Sequence, residues 1–212
     1  MEKEKRIIIK PQNGFNGNGI YIVNYDETID IQKEFNKIKK ENYVIEGVLE
    51  QEGVLKKLNP ETLNTIRVNA FNNHGKVQII NAILRSGQGN TVTDNICAGG
   101  CVARINISNG KVETPFYDLS NHIYYEHPLT NVSVIGETIP YWEDVINTVK
   151  EGCAIVPDLG YTSWDIAVIK GGKVAIVEGN SYGNFNIQQV TGTGVRKEYD
   201  RYISEWRKSS KH

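Results

Sequence analysis

Two apolar stretches, "WDIAVI" and "KVAIVEGN", stand on either side of Gly171 and Gly172, and this pairing restricts the possible folds more than any other feature. Apolar runs joined by Gly-Gly predict an antiparallel β-hairpin that turns at the two glycines. The ladder of such a hairpin places Asp165 opposite Glu178. Asn180 follows Glu178 by two residues and points to the same face. The hairpin therefore predicts two carboxylates and a carboxamide at one end of two strands.

Further hairpins and helices follow from the same kind of pattern. "RIIIKP" and "IYIV" flank a glycine-rich turn, "NNHGK" joins two more strands, and "YVIEGVLEQ" predicts a buried strand. Helical spacing predicts helices in "DETIDIQKEFNKIKKE", where Asp26 or Thr28 would be the N-cap, in "IPYWEDVINTVKEGCAIVP" and in "EYDRYISEWRKS". The sequence predicts an α+β fold with a hairpin-plus-helix unit over residues 1–45 and a larger sheet-based unit over residues 46–212. Residues 90–138 read as a long, loop-rich segment of the kind that carries function.

Composition excludes several classes of protein. The 24 Lys and Arg residues nearly balance the 25 Asp and Glu residues, which gives no reason to expect nucleic acid or an anionic membrane as the main partner. The chain has no apolar run of the roughly 18 residues needed to cross a bilayer, and no signal peptide is recognisable. The three cysteines lack zinc-finger spacing, so we expect reduced thiols in a cytoplasmic protein.

The oxygen atoms of Asp165, Glu178 and Asn180 predict a magnesium site. Two carboxylates that converge on one face repel each other unless a cation lies between them. Magnesium prefers hard oxygen ligands and commonly takes substrate phosphates as further ligands. The alternative is an ordinary hairpin whose acidic ends face solvent.

The N-terminal turn predicts phosphate binding. Lys10 precedes Asn13, Gly14, Gly17 and Gly19, and glycines allow backbone N–H groups to approach phosphate oxygens while a lysine supplies positive charge. The turn is neither a P-loop nor a protein-kinase glycine loop, because its lysine precedes the glycines.

Two further strands offer candidate nucleotide contacts. Glu46 could accept a hydrogen bond from the exocyclic amine of adenine, with the backbone of Val48 and Leu49 along the adenine edge; the alternative is a surface carboxylate. Arg67 lies in mid-strand, where an arginine either extends its charge to solvent or binds an anion. Asn64, on the opposite face of that strand by alternation, is a further candidate.

Taken in order, these residues resemble the ATP-grasp superfamily. "LNPETLNTIRV", "DNICAGG", "YEHPLT", "IPYWEDV", "WDIAV" and "VEGNSYGNF" look like the sugar-transfer associated ATP-grasp family over residues 7–189. The resemblance implies two antiparallel-sheet subdomains that clamp ATP, and a ligase that activates a carboxylate as an acyl phosphate for attack by an amine or thiol. The implied roles are phosphate binding for Lys10 and residues 13–19, adenine binding for Glu46, Val48 and Leu49, Mg²⁺ (or Mn²⁺) binding for Asp165, Glu178 and Asn180, and stabilisation of the transferring phosphoryl group by Arg67 and Lys10.

The acceptor of such a ligase is not specified by the sequence. The loop between Asn95 and His127 would shape its pocket, with Asn95, Gly99, Gly100 and His127 as candidate contacts. His127 has a structural alternative, as a histidine in a His-Pro turn. The family name suggests a connection to sugar transfer and cell-surface polysaccharide assembly.

The sequence departs from the family pattern at its start. Nine residues precede Lys10, whereas ATP-grasp proteins carry a preceding domain with a second phosphate-binding lysine. We therefore expect a fragment, one half of a split protein or a natural truncation, whose exposed sheet edges a missing N-terminal half or a second copy would cover. Three functions follow as hypotheses: a ligase core, a nucleotide-binding module without turnover, and a phosphotransferase on the same scaffold.

Overall fold

Two antiparallel β-sheets carry the fold, as predicted. The structure is a computed structural model that describes residues 5–13, 17–26, 28–39, 42–89, 92–183, 187, 191–192 and 194–209. The small sheet has the order β2-β1-β3 and the large sheet the order β10-β9-β4-β5-β6-β7-β8. The strands are β1 (Arg6–Pro11), β2 (Tyr21–Asn24), β3 (Tyr43–Gly47), β4 (Ile66–Asn73), β5 (Lys76–Ser86), β6 (Cys101–Ile105), β7 (Phe116–Tyr117), β8 (Ile123–Tyr124), β9 (Tyr161–Ile169) and β10 (Lys173–Asn180). The helices are α1 (Ile31–Ile38), α2 (Gly53–Leu58), α3 (Trp142–Ile155) and α4 (Arg196–Ser209), with a 3₁₀ turn at Ile96–Ala98.

The small sheet is built around β1. Ile7, Ile9 and Val23 are buried on one face, with residues before and within α1 packed against them. Helix α1 is capped by Asp30, whose side chain accepts a hydrogen bond from the Lys33 N–H at 2.9 Å. The predicted caps, Asp26 and Thr28, are therefore wrong.

Strand β3 is exposed rather than buried, which corrects the sequence prediction. Within the described part of the chain it pairs with β1 alone, and four of its five residues are exposed. An edge strand has a single neighbour, so its apolar residues Val44 and Ile45 remain accessible. The predicted domain boundary after residue 45 falls within this strand, and the chain passes from the small to the large sheet between Gly47 and Ile66.

The large sheet has two differently covered faces. On one face, α2 and α3 pack on a continuous core, and the predicted apolar face of α3 is confirmed by its buried residues Trp142, Val145 and Val149. On the other face, aromatic residues of α4 contact Phe71; the Phe71 and Tyr202 rings stack at 5.5 Å. The part of this second face that α4 does not cover carries polar side chains, because alternate residues of each strand point to it.

Residues 90–138 contain more structure than the predicted loop. Strands β6, β7 and β8 extend the large sheet, and β6 pairs with β5 from Ser86–Cys101 to Ala82–Ile105. Strands β7 and β8 have two residues each, too few for a period-two pattern to be recognised in the sequence. None of the helices in the described part of the chain combines the length and apolar composition that a bilayer-crossing segment requires.

Candidate active site

The β9–β10 hairpin pairs Asp165 with Glu178, which confirms the predicted register. Gly171 and Gly172 have positive φ angles of 83° and 74° at its turn, a conformation that favours glycine. The pairing depends on a β-bulge, because the register shifts by one residue between Ile176 and Glu178. Without this bulge Val177 would lie opposite Asp165 instead.

Asp165 is held by two arginines. It is almost fully buried, and its Oδ1 and Oδ2 accept hydrogen bonds from Nε and Nη2 of Arg67, both at 2.7 Å. Nη1 of Arg85 donates to the same Oδ2 at 3.0 Å. The register sets this arrangement, because Arg67 on β4 lies directly opposite Asp165 on β9. The anion that mid-strand Arg67 contacts is therefore a carboxylate of the protein itself.

Arg85 is a site residue that the sequence analysis missed. Its Nη2 donates to Oδ1 of Asp94 at 2.5 Å, and Thr65 donates to Oδ2 of Asp94 from its N–H at 2.8 Å and from its hydroxyl. Burial opposes the charge on Arg85, but Asp94, Asp165 and Glu178 together raise its pKa above the ordinary value. Alternation along "NAILRS" was the available signal, since it places Arg85 on the face of β5 that also carries Asn81 and Ile83.

The donor set at the end of this hairpin fits a magnesium ion. Glu178 is exposed and Asn180 is half-buried on β10, and Asn180 pairs with Ser163, the next same-face position from Asp165. Asp165 uses three hydrogen bonds of the about four that an ionised carboxylate can accept. Asp94, Asp165 and Glu178 outnumber the two arginines by one charge, so a cation is electrostatically acceptable.

No group of three or more His, Cys, Asp or Glu side chains with metal-binding geometry occurs among the described residues. The predicted set has two acids and an amide, which matches a magnesium ion that takes its remaining ligands from water and phosphate.

On the small sheet, the predicted phosphate and adenine residues contact each other. Lys10 and Glu46 form an ion pair on one face, and both are partly exposed. They meet because β1 and β3 are neighbours and the two residues lie two ladder pairs apart, on the same face. The Val48 N–H donates to the Arg6 carbonyl at 3.3 Å, and the Leu49 side chain is exposed.

The glycine-rich turn packs against the loop of residues 92–100. Gly17 and Gly19 have φ angles of 78° and 76°, and a Cβ on Gly17 would lie 2.8 Å from Cγ2 of Thr93. Asn13 is exposed, and Gly14 lies outside the described residues. A cavity of about 550 Å³ separates β2 from the 92–100 loop; its lining includes Arg6, Gly17, Asn24, Glu61 and Thr93.

Asn64 has a structural position, contrary to its predicted contact with nucleotide. It is fully buried, and its Nδ2 lies 2.8 Å from the Leu55 carbonyl and 3.0 Å from the Asn59 carbonyl. Its Oδ1 accepts a hydrogen bond from the Ser86 hydroxyl at 2.6 Å. Internal groups thus satisfy the amide and fix the segment that leads into β4.

The structure also gives His127 an internal position, the structural alternative considered from the sequence. Nε2 lies 3.0 Å from Oγ of Ser86, and Nδ1 accepts from the Leu129 N–H at 3.4 Å. Burial lowers the pKa of His127, although a hydrogen bond to the Gly87 backbone opposes this change. A neutral imidazole with one donor and one acceptor matches these partners.

The three other predicted acceptor contacts shape the 92–100 loop. The Asn95 side chain caps the 3₁₀ turn by accepting from the Cys97 N–H at 2.9 Å. Gly99 ends this turn with a φ of 88°, and a Cβ on Gly100 would lie 2.7 Å from the Asp94 carbonyl oxygen. The glycines are therefore explained by backbone geometry, and acceptor contact at all three positions stays a prediction.

Solved structures of similar shape define the class of protein. An ATP-grasp ligase, PsnB, complexed with a phosphomimetic variant of a minimal precursor, Mg and ADP, matches with a TM-score of 0.55 at 13% identity over 96% of this chain and 48% of its own. The D-alanine–D-alanine ligase of Coxiella burnetii matches with a TM-score of 0.52 at 10% identity over 99% of this chain and 47% of its own. The ADP complex of N5-carboxyaminoimidazole synthetase from Staphylococcus aureus has a TM-score of 0.51 at 10% identity over 84% and 35%. The fold is thus the ATP-grasp fold, and the chain spans less than half of the length of these three proteins.

The sequence assigns the chain to a narrower group than the fold does. The sequence pattern of the sugar-transfer associated ATP-grasp family matches residues 1–202. The chain belongs to the sugar-transfer associated ATP-grasp family, as the resemblance predicted. No curated protein matches it.

Proposed function

We propose that the chain is the nucleotide- and magnesium-binding core of an ATP-dependent carboxylate–amine or carboxylate–thiol ligase. Such a ligase transfers the γ-phosphoryl group of ATP to an acceptor carboxylate, with release of ADP. The amine or thiol then attacks the acyl carbon, loses its proton, and phosphate leaves. The family description supports an extension of this proposal to an acceptor used in cell-surface polysaccharide synthesis.

One observation carries the proposal. Asp165, Glu178 and Asn180 occupy neighbouring, same-face positions of two paired strands, and Arg67 donates two hydrogen bonds to the first of them. Asp165, Glu178 and Asn180 would hold Mg²⁺ (or Mn²⁺), whose chemistry is the neutralisation of charge on a transferring phosphoryl group.

The protein's own cations supply the remaining charge stabilisation in this proposal. Arg67 presents a planar, permanently charged group that suits phosphoryl oxygens, and Lys10 on the small sheet supplies a compact charge. Glu46 of β3 and the backbone of Val48 and Leu49, which come after the end of β3, would bind the adenine. Lys10 lies two ladder pairs from Glu46 on the same face, so the small sheet offers contacts to both ends of one nucleotide.

The Glu178→Gln variant tests the metal assignment. Glu178 is exposed, so the substitution leaves the fold intact but removes a charge and weakens magnesium-dependent ATP binding about tenfold or more, because a ligand carboxylate becomes a neutral amide. Isothermal titration calorimetry with and without Mg²⁺ measures this difference, and ATP binding in EDTA stays unchanged. Glu113→Gln is the matched control, since Glu113 is a partly exposed carboxylate paired with Arg104 at 3.1 Å. Equal magnesium dependence in wild type and Glu178→Gln would contradict the assignment.

A binding module without turnover is the second candidate. It is favoured by the internal pairing of the charged groups on both sheets, Lys10 with Glu46 and Arg67 with Asp165. Incubation with ATP and candidate carboxylates, followed by assays of ADP and phosphate, separates the two functions. Acceptor-dependent ADP supports the ligase, binding without ADP supports the module, and a stable phosphorylated acceptor indicates a phosphotransferase.

A further inference from the structure

Arg85 connects three separate parts of the chain around the proposed metal carboxylate. Its guanidinium extends from β5 to Asp165 on β9 at 3.0 Å and to Asp94 in the 92–100 loop at 2.5 Å. The Arg85 side chain is only 10% exposed, and those of Asp94 and Asp165 are 6% and 3% exposed. A buried guanidinium between two buried carboxylates has its orientation fixed by both.

Asp94 is itself anchored, so this connection is rigid at its loop end. Its Oδ2 accepts hydrogen bonds from the N–H and the hydroxyl of Thr65, while Arg85 bonds the other oxygen. The backbone N–H of Arg85 also donates to the Thr65 carbonyl at 2.8 Å. Thr65, Arg85 and Asp94 therefore hold one another, and together they fix Oδ2 of Asp165.

The two arginines differ in what holds them. In the described part of the chain the Arg67 guanidinium donates its two hydrogen bonds to Asp165, whereas Arg85 also donates to Asp94. Nε of Arg85 is buried and has no hydrogen-bond partner in the described part of the chain. The two terminal nitrogens of Arg85 thus bond the two carboxylates, while Nε is left without a hydrogen bond. This orientation is expected for a guanidinium whose main role is to hold both carboxylates in place.

We infer that Arg85 is a positioning residue that orients Asp165 for the metal ion and couples this carboxylate to the 92–100 loop through Asp94. The inference rests on the proposed function. Asp94 is not a proposed ligand, so, apart from the negative charge that it adds to the site, it would influence metal binding through Arg85. The same loop contacts the glycine-rich turn at Thr93 and Gly17, which places the coupling between the metal site and the part of the small sheet proposed to bind phosphate.

The test compares metal binding with metal-free nucleotide binding in Arg85→Met, Arg85→Lys and Asp94→Asn. Mn²⁺ is titrated by electron paramagnetic resonance in the presence of saturating AMPPNP, and AMPPNP is titrated in EDTA by calorimetry. We expect Arg85→Met to weaken Mn²⁺ binding about tenfold or more, as for lost partners of metal ligands elsewhere, with AMPPNP binding in EDTA within about twofold of wild type. Asp94→Asn shifts Mn²⁺ binding in the same direction. Arg85→Lys keeps part of the Mn²⁺ affinity that Arg85→Met loses, because a lysine supplies charge but cannot bridge both carboxylates.

Arg104→Met on the adjacent strand β6 is the control; its salt bridge to Glu113 is partly exposed, and we expect wild-type Mn²⁺ affinity. Wild-type Mn²⁺ affinity in folded Arg85→Met and Asp94→Asn overturns the inference alone. An equal loss of Mn²⁺ binding and of AMPPNP binding in EDTA also overturns it, because that result indicates a structural role. If Arg85→Met does not fold, the same two binding measurements on Asp94→Asn decide whether the inference holds. Failure of the wild type to bind Mn²⁺ with AMPPNP overturns the proposed function and the inference with it.

Discussion

Asp165 is occupied by guanidinium groups, and this arrangement predicts how the site responds to a metal ion alone. Arg67 and Arg85 make three hydrogen bonds of 3.0 Å or less to its carboxylate. Arg67 bonds both carboxylate oxygens, so a divalent cation competes with this guanidinium for Asp165 unless phosphate arrives to bind the arginine. We therefore expect no measurable stabilisation of the wild type by Mg²⁺ in the absence of nucleotide, and a gain of such stabilisation in Arg67→Met.

The size of the effect follows from the contacts. Arg67→Met removes two charge-assisted hydrogen bonds from a buried carboxylate, but Arg85 still pairs with it, so the free energy of unfolding falls by about 2–3 kcal/mol, less than for a fully unpaired buried charge. Mg²⁺ at about ten times its dissociation constant then stabilises the native variant by about 1.4 kcal/mol.

Urea unfolding followed by circular dichroism measures both quantities, with NaCl at matched ionic strength as the salt control. Addition of Asp165→Asn to Arg67→Met removes the ligand and abolishes the response to Mg²⁺. If Mg²⁺ alone stabilises the wild type as much as Arg67→Met, Arg67 does not exclude the cation and the reasoning is refuted.

Two further predictions concern packing and pH. Gly179→Ala places a Cβ 2.8 Å from Cζ3 of Trp164 and lowers the free energy of unfolding by about 1–3 kcal/mol. Gly194→Ala is the control, because its Cβ meets no atom of the described residues within 4 Å, and equal stability of the two variants would contradict the packing argument. The lowered pKa of His127 means that the unfolded chain binds the proton first, so stability is fully present above the ordinary pKa of about 6.5 and falls below it by up to about 1.4 kcal/mol per pH unit. Urea unfolding at several pH values checks this, and the same slope in His127→Gln would show that another group is responsible.

The sequence predicted the β9–β10 hairpin well because its signals are local. Apolar residues flank Gly171 and Gly172, and the acidic residues lie a few positions from the turn, so strand pairing followed from the turn alone. The bulge between Ile176 and Glu178 has no such signal. The pairing of Asp165 with Glu178 was nevertheless correct, because the predicted register was the one that holds beyond the bulge.

Contacts between distant segments were not predictable in this way. Asn64 alternates with apolar residues, but its burial depends on α2, the following turn and Ser86 on β5. Arg85 and Asp94 lie 9 residues apart, and no periodic pattern in the sequence indicates that their side chains meet. Strand β3 looked buried because its residues are apolar, whereas exposure is decided by how many strands pair beside it.

The pairing of charges on both sheets has a common physical reason if the proposed function is correct. Lys10 on the small sheet is paired with Glu46, and Arg67 on the large sheet is paired with Asp165, so neither cation lacks a counterion. The proposal assigns Glu46, the partner of Lys10, to the adenine, and Asp165, the partner of Arg67, to the metal ion that accompanies the same nucleotide. Lys10 and Arg67 can exchange these carboxylates for phosphate oxygens, and Glu46 and Asp165 then become available to adenine and metal, so no charge on either sheet loses its partner. A nucleotide without metal supplies only one side of this exchange at Asp165, which is why the metal dependence of binding, rather than binding itself, is the decisive measurement.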